Sequence, residues 1–295
     1  MRLPTHPVAG PLFMVVATGS YLVNDTMLKL ATEGLPAYET LFLRGIAATL
    51  WGLPLLFLLG YGRNLRQIAA PLVVLRNVIE LGAILMYVVA LANMPIADAS
   101  ALLQITPLLM ILGASIVFRE RVGGVRMALI GLGFFGALLV AQPTLSGFSP
   151  YALLALANAV FSAARDLVGR RVPAEIPGMV VSVSAAIIVM LGAGVMHLGF
   201  ESWVVPQPVH LLLIAGAGLF LIFGHFFIFM AYRVGQTAVV APFYYFFTFW
   251  AVMSGLVVFN QFPNTLAVIG IALVVVSGIA VVILGERQRR LTLVA

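Results

Sequence analysis

Apolar runs of about 20 residues recur from one end of this chain to the other, with connections of only a few residues between them. A helix of that length crosses about 30 Å of hydrocarbon. Lipid offers no hydrogen-bond partners, so a spanning segment must satisfy its backbone internally, as a helix or in a closed barrel. The runs are continuous rather than alternating, which selects helices. Composition agrees: 62% of the 295 residues are hydrophobic and 9% charged, against about a quarter charged in soluble globular chains. The sequence therefore predicts an all-α membrane protein with ten spans, at about 9–30, 39–60, 70–92, 97–117, 124–142, 150–171, 177–198, 208–232, 237–259 and 264–284. Pro or Gly marks the connections, as at Pro36, Pro71, Pro95, Gly123, Pro150, Pro177, Pro208 and Pro263, and no soluble domain fits between them.

Charge orients the predicted bundle. Arg63 and Arg66 follow span two, Arg119, Arg121 and Arg126 follow span four, Arg170 and Arg171 end span six, Arg233 ends span eight, and Arg287, Arg289 and Arg290 follow span ten. The alternate loops near 93–98, 143–149, 199–207 and 260–263 hold no Lys or Arg. The positive-inside rule then places both termini in the cytoplasm. The net charge of +6 is distributed as topology requires and not as a nucleic-acid surface. The first span reads as an uncleaved membrane signal, because no small-residue cleavage site follows a short apolar core. With no cysteine, the chain carries no thiol or disulfide chemistry.

Shifted by 141 residues, the sequence aligns with itself: Asp25 meets Asp166, Lys29 meets Arg170, Pro36 meets Pro177, Ala90 meets Ala231, Ala97 meets Ala238 and Phe118 meets Phe259. The offset is ungapped from span one into the end of span four and drifts by two residues at the last span, where Gly131 meets Gly270. Five spans per copy is an odd number, so the second copy enters the membrane from the opposite side. The reading is two inverted five-helix repeats, residues 1–145 and 146–295, around a central cavity, an arrangement that places substrate near the midplane.

Ionisable residues inside a span face the bundle interior or water. Span one carries Tyr21, Asn24 and Asp25, matched in the repeat by Ser162, Arg165 and Asp166. Span three carries Asn77, Glu80, Ile84 and Tyr87 on one face, matched by Gly218, Leu221, His225 and Ile228, and one turn on Leu91 corresponds to Tyr232. Span four carries Ser100, Gln104, Pro107 and Ile111, matched by Ala241, Tyr245, Thr248 and Val252. Candidate substrate-binding residues are thus Asn24, Glu80, Tyr87, Gln104, His225, Tyr232, Tyr245 and Thr248; candidates for proton coupling or gating are Asp25, Glu80 and Asp166. Structural readings stand beside these. Arg76 is one turn before Glu80, at ion-pair spacing, and Lys29 either pairs with Asp25 or snorkels outward. His225 has no second ligand at metal spacing, so no metal or other cofactor is expected. Spans five and ten are almost wholly apolar and read as peripheral, with Gly133, Ala137 and Ala141 at a spacing suited to close helix contact or to a homodimer interface.

The stretch ASALLQITPLLMILGASIVFRERVGGVRMALIGLGFFGALLV, Ala99 to Val140, resembles the EamA-type domain of the drug/metabolite transporter superfamily. The marks are its small-residue start, Pro107, the acidic Glu120 after the helix and a Gly-rich final span from about Gly131; Lys29 and Arg44 match the family's basic residues around its first loop. Asn260 and Gln261 replace Arg119 and Glu120 in the second half. The resemblance implies a ten-helix carrier in a bacterial inner membrane, with the bilayer and a small-molecule substrate as partners and no enzymatic activity. Combined with the aromatic and amide stripes, it implies export of aromatic or hydrophobic amino acids and related metabolites. Nucleosides, vitamins, drug-like compounds and an uncoupled channel or facilitator remain open alternatives. Pro95, Pro107, Pro242, Gly82 and Gly224 are the expected points of helix bending.

Overall fold

The computed structural model describes residues 9–117, 123–142, 149–234 and 237–294, and every regular element in them is helical. Arg119, Glu120, Arg121 and the loop 143–148 lie outside the described residues. Helix α1 spans Ala9–Ala31 and α2 spans Ala37–Leu58; a 3₁₀ segment, Tyr61–Ala69, leads into α3, Pro71–Asn93. Then follow α4 (Ile96–Leu103), α5 (Thr106–Val117), α6 (Gly124–Ala141), α7 (Pro150–Gly169), α8 (Gly178–Phe200) and α9 (Pro208–Val234). The chain closes with α10 (Thr237–Val240), a second 3₁₀ turn (Ala241–Tyr245), α11 (Phe246–Val257) and α12 (Thr265–Val294). Proline sets many of the starts. It is the first residue of α3, α7 and α9 and immediately precedes α2, α4 and α8, where its fixed φ suits a helix and its missing N–H costs nothing.

Among the described residues, eight stretches are helical, long and apolar enough to cross a membrane, and Ala241–Val257 is a shorter apolar segment. Helix α1 has 23 residues but is less apolar, because Asn24, Asp25 and Lys29 interrupt it. Side chains on the outer surface are overwhelmingly aliphatic or aromatic, with Leu58 83% and Leu198 84% exposed. A soluble protein does not display apolar surface on this scale. The chain is an integral membrane protein.

Two predicted spans are broken. Span four divides between α4 and α5 at Gln104–Ile105. Pro107 has no N–H to give Leu103, its partner four residues back, and the Thr106 hydroxyl donates to the Leu103 carbonyl instead, at 2.6 Å. Span nine becomes α10, a 3₁₀ turn beginning at Ala241–Pro242, and α11. Pro107 and Pro242 therefore coincide with irregular backbone.

Packing is pairwise. Helix α1 lies along α9 and α3 along α7; α2 packs on both α8 and α9, and α3 also on α8. Helix α5 packs on α7, α1 on α11, and α6 on α12. In the last pair the two backbones come close together: a Cβ added at Gly136 would lie 2.7 Å from the carbonyl oxygen of Gly270. The predicted small-residue contact of span five thus centres on Gly136, with Gly133 set against Leu108 and Ser277. Gly136→Leu is expected to separate α6 from α12 and to destabilise the protein by about 2 kcal/mol, the usual scale of overpacking. Thermal unfolding in detergent or lipid checks this as a midpoint lowered by several degrees, with Gly136→Ala intermediate.

Candidate functional site

Helix α1 brings Asn24 and Asp25 into the bundle, where they are 2% and 7% exposed. The Asp25 carboxylate is fully engaged. Tyr87 of α3 donates to Oδ2 at 2.8 Å and the Asn24 amide donates to Oδ1 at 2.8 Å. Arg44 of α2 completes this group, its Nη1 directed at Asn24 Oδ1 over 3.5 Å.

Lys29, one turn beyond Asp25, neither pairs with it nor snorkels. Its ammonium donates to the carbonyls of Leu91 and Met94, at 2.5 and 2.8 Å, and lies 5.5 Å from the centre of the Phe259 ring. The last carbonyls of a helix have no intrahelical partner and carry the negative end of its dipole, so the C-terminus of α3 competes successfully for this cation. At the same end of the bundle, Glu201 at the close of α8 accepts from the Tyr38 and Glu39 amides, both at 3.0 Å, and so caps α2. Glu39 in turn accepts from the Val204 amide at 2.9 Å.

A second polar group is built toward the opposite end. Glu80 of α3 pairs with Arg76 at 2.5 Å on its own helix and with Arg165 of α7 at 3.0 Å. Arg165 also donates from Nε to Asp166 at 2.8 Å. Arg76 donates to Asn77 Oδ1 at 2.6 Å, and Asn77 donates to the Val181 carbonyl of α8 at 3.3 Å. The Arg76–Glu80 pair expected from spacing is present, but as one edge of a network joining α3, α7 and α8.

Between the two groups is a cavity of about 60 Å³ whose wall includes Arg44, Glu80, Ile84, Ser182, Val189 and His225. That is room for one or two waters. His225 Nδ1 lies 2.8 Å from the Leu221 carbonyl. A carbonyl only accepts, so Nδ1 carries a proton. The ring meets Tyr21 edge-on, with centroids 5.3 Å apart. Three guanidinium groups (Arg44, Arg76, Arg165) face three carboxyl groups (Asp25, Glu80, Asp166) along this seam. A larger hollow of about 290 Å³ lies on the flank, among Ile105, Leu109, Phe134, Ala137, Leu138, Leu156 and Val160. Every lining side chain there is apolar, so nothing orients a ligand, and the smaller polar cavity is the functional candidate.

Of the residues singled out from sequence, Asn24, Asp25 and Tyr87 are bonded together, Glu80 and His225 share the cavity wall, and Asp166 holds Arg165. Gln104, Tyr245 and Thr248 are buried at the break after α4, on the second 3₁₀ turn and on α11, and their side-chain polar atoms have no partner among the described residues. The Tyr245 hydroxyl is directed at Gly278 of α12. Tyr232 is 42% exposed on α9. Sequence reasoning missed the junction of Glu80 with Arg165 and the cavity position of Arg44. The signal was available for the first: a membrane-embedded Arg in the repeat position of Asn24 needs a carboxylate on a facing helix.

A polytopic helical bundle with a small, charge-balanced polar cavity suits a membrane transporter. Comparison with known proteins agrees. The sequence profile of the EamA-like transporter family matches residues 8–142. The chain is 30% identical to a riboflavin transporter of Rhizobium johnstonii, over 81% of this chain and 80% of the relative. It is 27% identical to the pseudopaline exporter CntI of Pseudomonas aeruginosa, over 92% and 95%, and 24% identical to an S-adenosylmethionine uptake transporter of Rickettsia prowazekii, over 90% and 89%. A solved crystal structure shares the fold at TM-score 0.67 and 22% identity, over 96% of this chain and 99% of that one. The chain belongs to the EamA-like transporter family, within the drug/metabolite transporter superfamily.

Removing one member of a largely desolvated ion-pair network strands the others. Glu80→Gln and Arg165→Gln are each expected to cost about 2 kcal/mol, and the double substitution less than their sum by about 1 kcal/mol. A thermal double-mutant cycle on the purified protein checks this; additive effects would show that the pair is not coupled.

Proposed function

We propose that this protein is a secondary transporter of the bacterial inner membrane that exports aromatic or hydrophobic amino acids and related small metabolites by alternating access. The observation that carries the reading is the small cavity between two polar groups, one tying α3 to α7 and the other tying α1 to α3. A channel needs a continuous polar path, whereas here Ile84, Val189, Leu221 and Ile222 share the wall with the charged groups. A cavity of about 60 Å³ is far below the several hundred cubic ångströms of a metabolite site, so a substrate requires the helices to part.

Ten spans in two inverted repeats, residues 1–145 and 146–295, complete the proposal. Helix pairing supports it: under the offset of 141 residues, α1 with α9 corresponds to α7 with α3, α2 with α9 to α8 with α3, and α1 with α11 to α7 with α5. The pairs α2–α8 and α6–α12 correspond to themselves, as elements straddling a pseudo-twofold axis do. In this arrangement both termini lie in the cytoplasm, at the end holding Arg63, Arg66, Arg170 and Arg171.

Balanced charge in the seam suits a zwitterion, and the His225 ring on the cavity wall, with Tyr21 edge-on behind it, offers aromatic surface. The named relatives carry different metabolites, and one exports while another takes up; the cargo class is read from this chain's own residues, export rests on the resemblance to the family, and the amino-acid class is tested first. Proteoliposomes loaded with unlabelled L-phenylalanine should take up labelled L-phenylalanine faster than empty ones, saturably, and Tyr87→Phe should slow this exchange about tenfold, the worth of one hydrogen bond. Exchange with no amino acid would contradict the cargo, and a non-saturable flux would contradict the carrier.

A further inference from the structure

Among the described residues, Arg44 is the buried cation of the seam with a donor left unpartnered. It is 4% exposed and stands on the cavity wall. Among the described residues, its Nε has no partner, and its single hydrogen bond, to Asn24, is 3.5 Å long. No ion pair joins it to a carboxylate among the described residues. A guanidinium presents five N–H donors in a fixed fork, and leaving them unmade in a desolvated site is costly.

The neighbouring cations differ. Lys29 holds two carbonyls, Arg165 holds Glu80 and Asp166, and Arg76 holds Glu80 and Asn77. The nearby anions are already committed. Asp25 has one oxygen on Tyr87 and the other on Asn24; Glu80 has one oxygen hydrogen-bonded to Arg165 and the other in an ion pair with Arg76, without a hydrogen bond. Neither turns to Arg44, although both lie within its electrostatic reach. What remains is a guanidinium fork on the wall of a cavity, next to an unmet demand for an acceptor.

We propose that Arg44 anchors a carboxylate of the transported molecule. A carboxylate matches the fork with two parallel hydrogen bonds. A phosphate would match the donors equally, but its second negative charge would sit close to Asp25 and Glu80, and a monoanion is the better fit. In a zwitterion the ammonium group then falls near those same carboxylates, and the net charge of the seam is unchanged on loading. The inference rests on the transporter reading and adds to it the residue that selects acids over their neutral analogues.

The test compares acid and amide pairs: L-phenylalanine with L-phenylalaninamide, and 3-phenylpropionate with 3-phenylpropionamide. Binding to the purified full-length protein is measured by calorimetry, beside counterflow of L-phenylalanine and of riboflavin in proteoliposomes. The wild type should bind each acid at least about tenfold more tightly than its amide, as expected for a charge-assisted pair. Arg44→Gln should lose that preference by weakening the acids while leaving the amides unchanged, and Arg44→Lys should retain part of it. If Arg44→Gln does not fold, the wild-type preference and the Arg44→Lys protein decide the matter. Equal affinity for acid and amide, a preference that survives in Arg44→Gln, or no binding of any acid would overturn the proposal. Riboflavin exchange without acid binding would sink the anchor and leave the carrier standing. Acid binding without exchange of either probe would do the reverse.

Discussion

A carboxylate surrounded by hydrocarbon must be met by a cation, and Glu80 is met by two. Arg76 holds it from its own helix and Arg165 holds it from α7. This shared pair ties the contact between α3 and α7 and sets the register of those helices. The same requirement organises the opposite end, where Lys29 is taken by the free carbonyls at the end of α3 and Glu201 caps α2. Charge in lipid is expensive, so each of these groups acts as a fixed joint, and the apolar helices arrange themselves around the joints. The small polar cavity is the space left between them.

Much of this was legible in the sequence. Helix positions followed from the length of apolar runs and from proline at their starts, and most fell within two residues of the observed ends. The breaks in spans four and nine were missed, because hydropathy does not register a lost N–H; Pro107 and Pro242 were marked as bends but not as places where the helix stops. The 3₁₀ segment Tyr61–Ala69 was also unexpected, since its mixed sequence carries no clear period. Spacing along one helix found the Arg76–Glu80 pair. It could not find Arg165 as the second partner, which depends on how α7 lies against α3. Lys29 shows the same limit: its neighbours on α1 suggested Asp25, while its actual partners belong to another helix's terminus.

Family membership and the site inform different questions. The EamA-like family accounts for a membrane carrier, and its named relatives differ in cargo and direction while sharing nearly the whole length of the chain. In the proposed reading, specificity lies in the side chains that line the cavity. The polar ones are Arg44, Glu80, Ser182 and His225. The aromatic run Phe243–Trp250 contributes less than its composition suggests, because Phe246 and Phe249 are exposed on the outer surface and the Tyr245 hydroxyl is turned to α12.

The central claim is that the cavity between the two polar ties opens to each side in turn. The chain has no cysteine, so a single one is a clean reporter. Ala185 lines the cavity and is 7% exposed. Ala185→Cys, probed with a membrane-impermeant maleimide in right-side-out and in inside-out vesicles, is the most direct measurement. Alternating access predicts labelling from both faces. Reaction from one face only, or from neither, would contradict it.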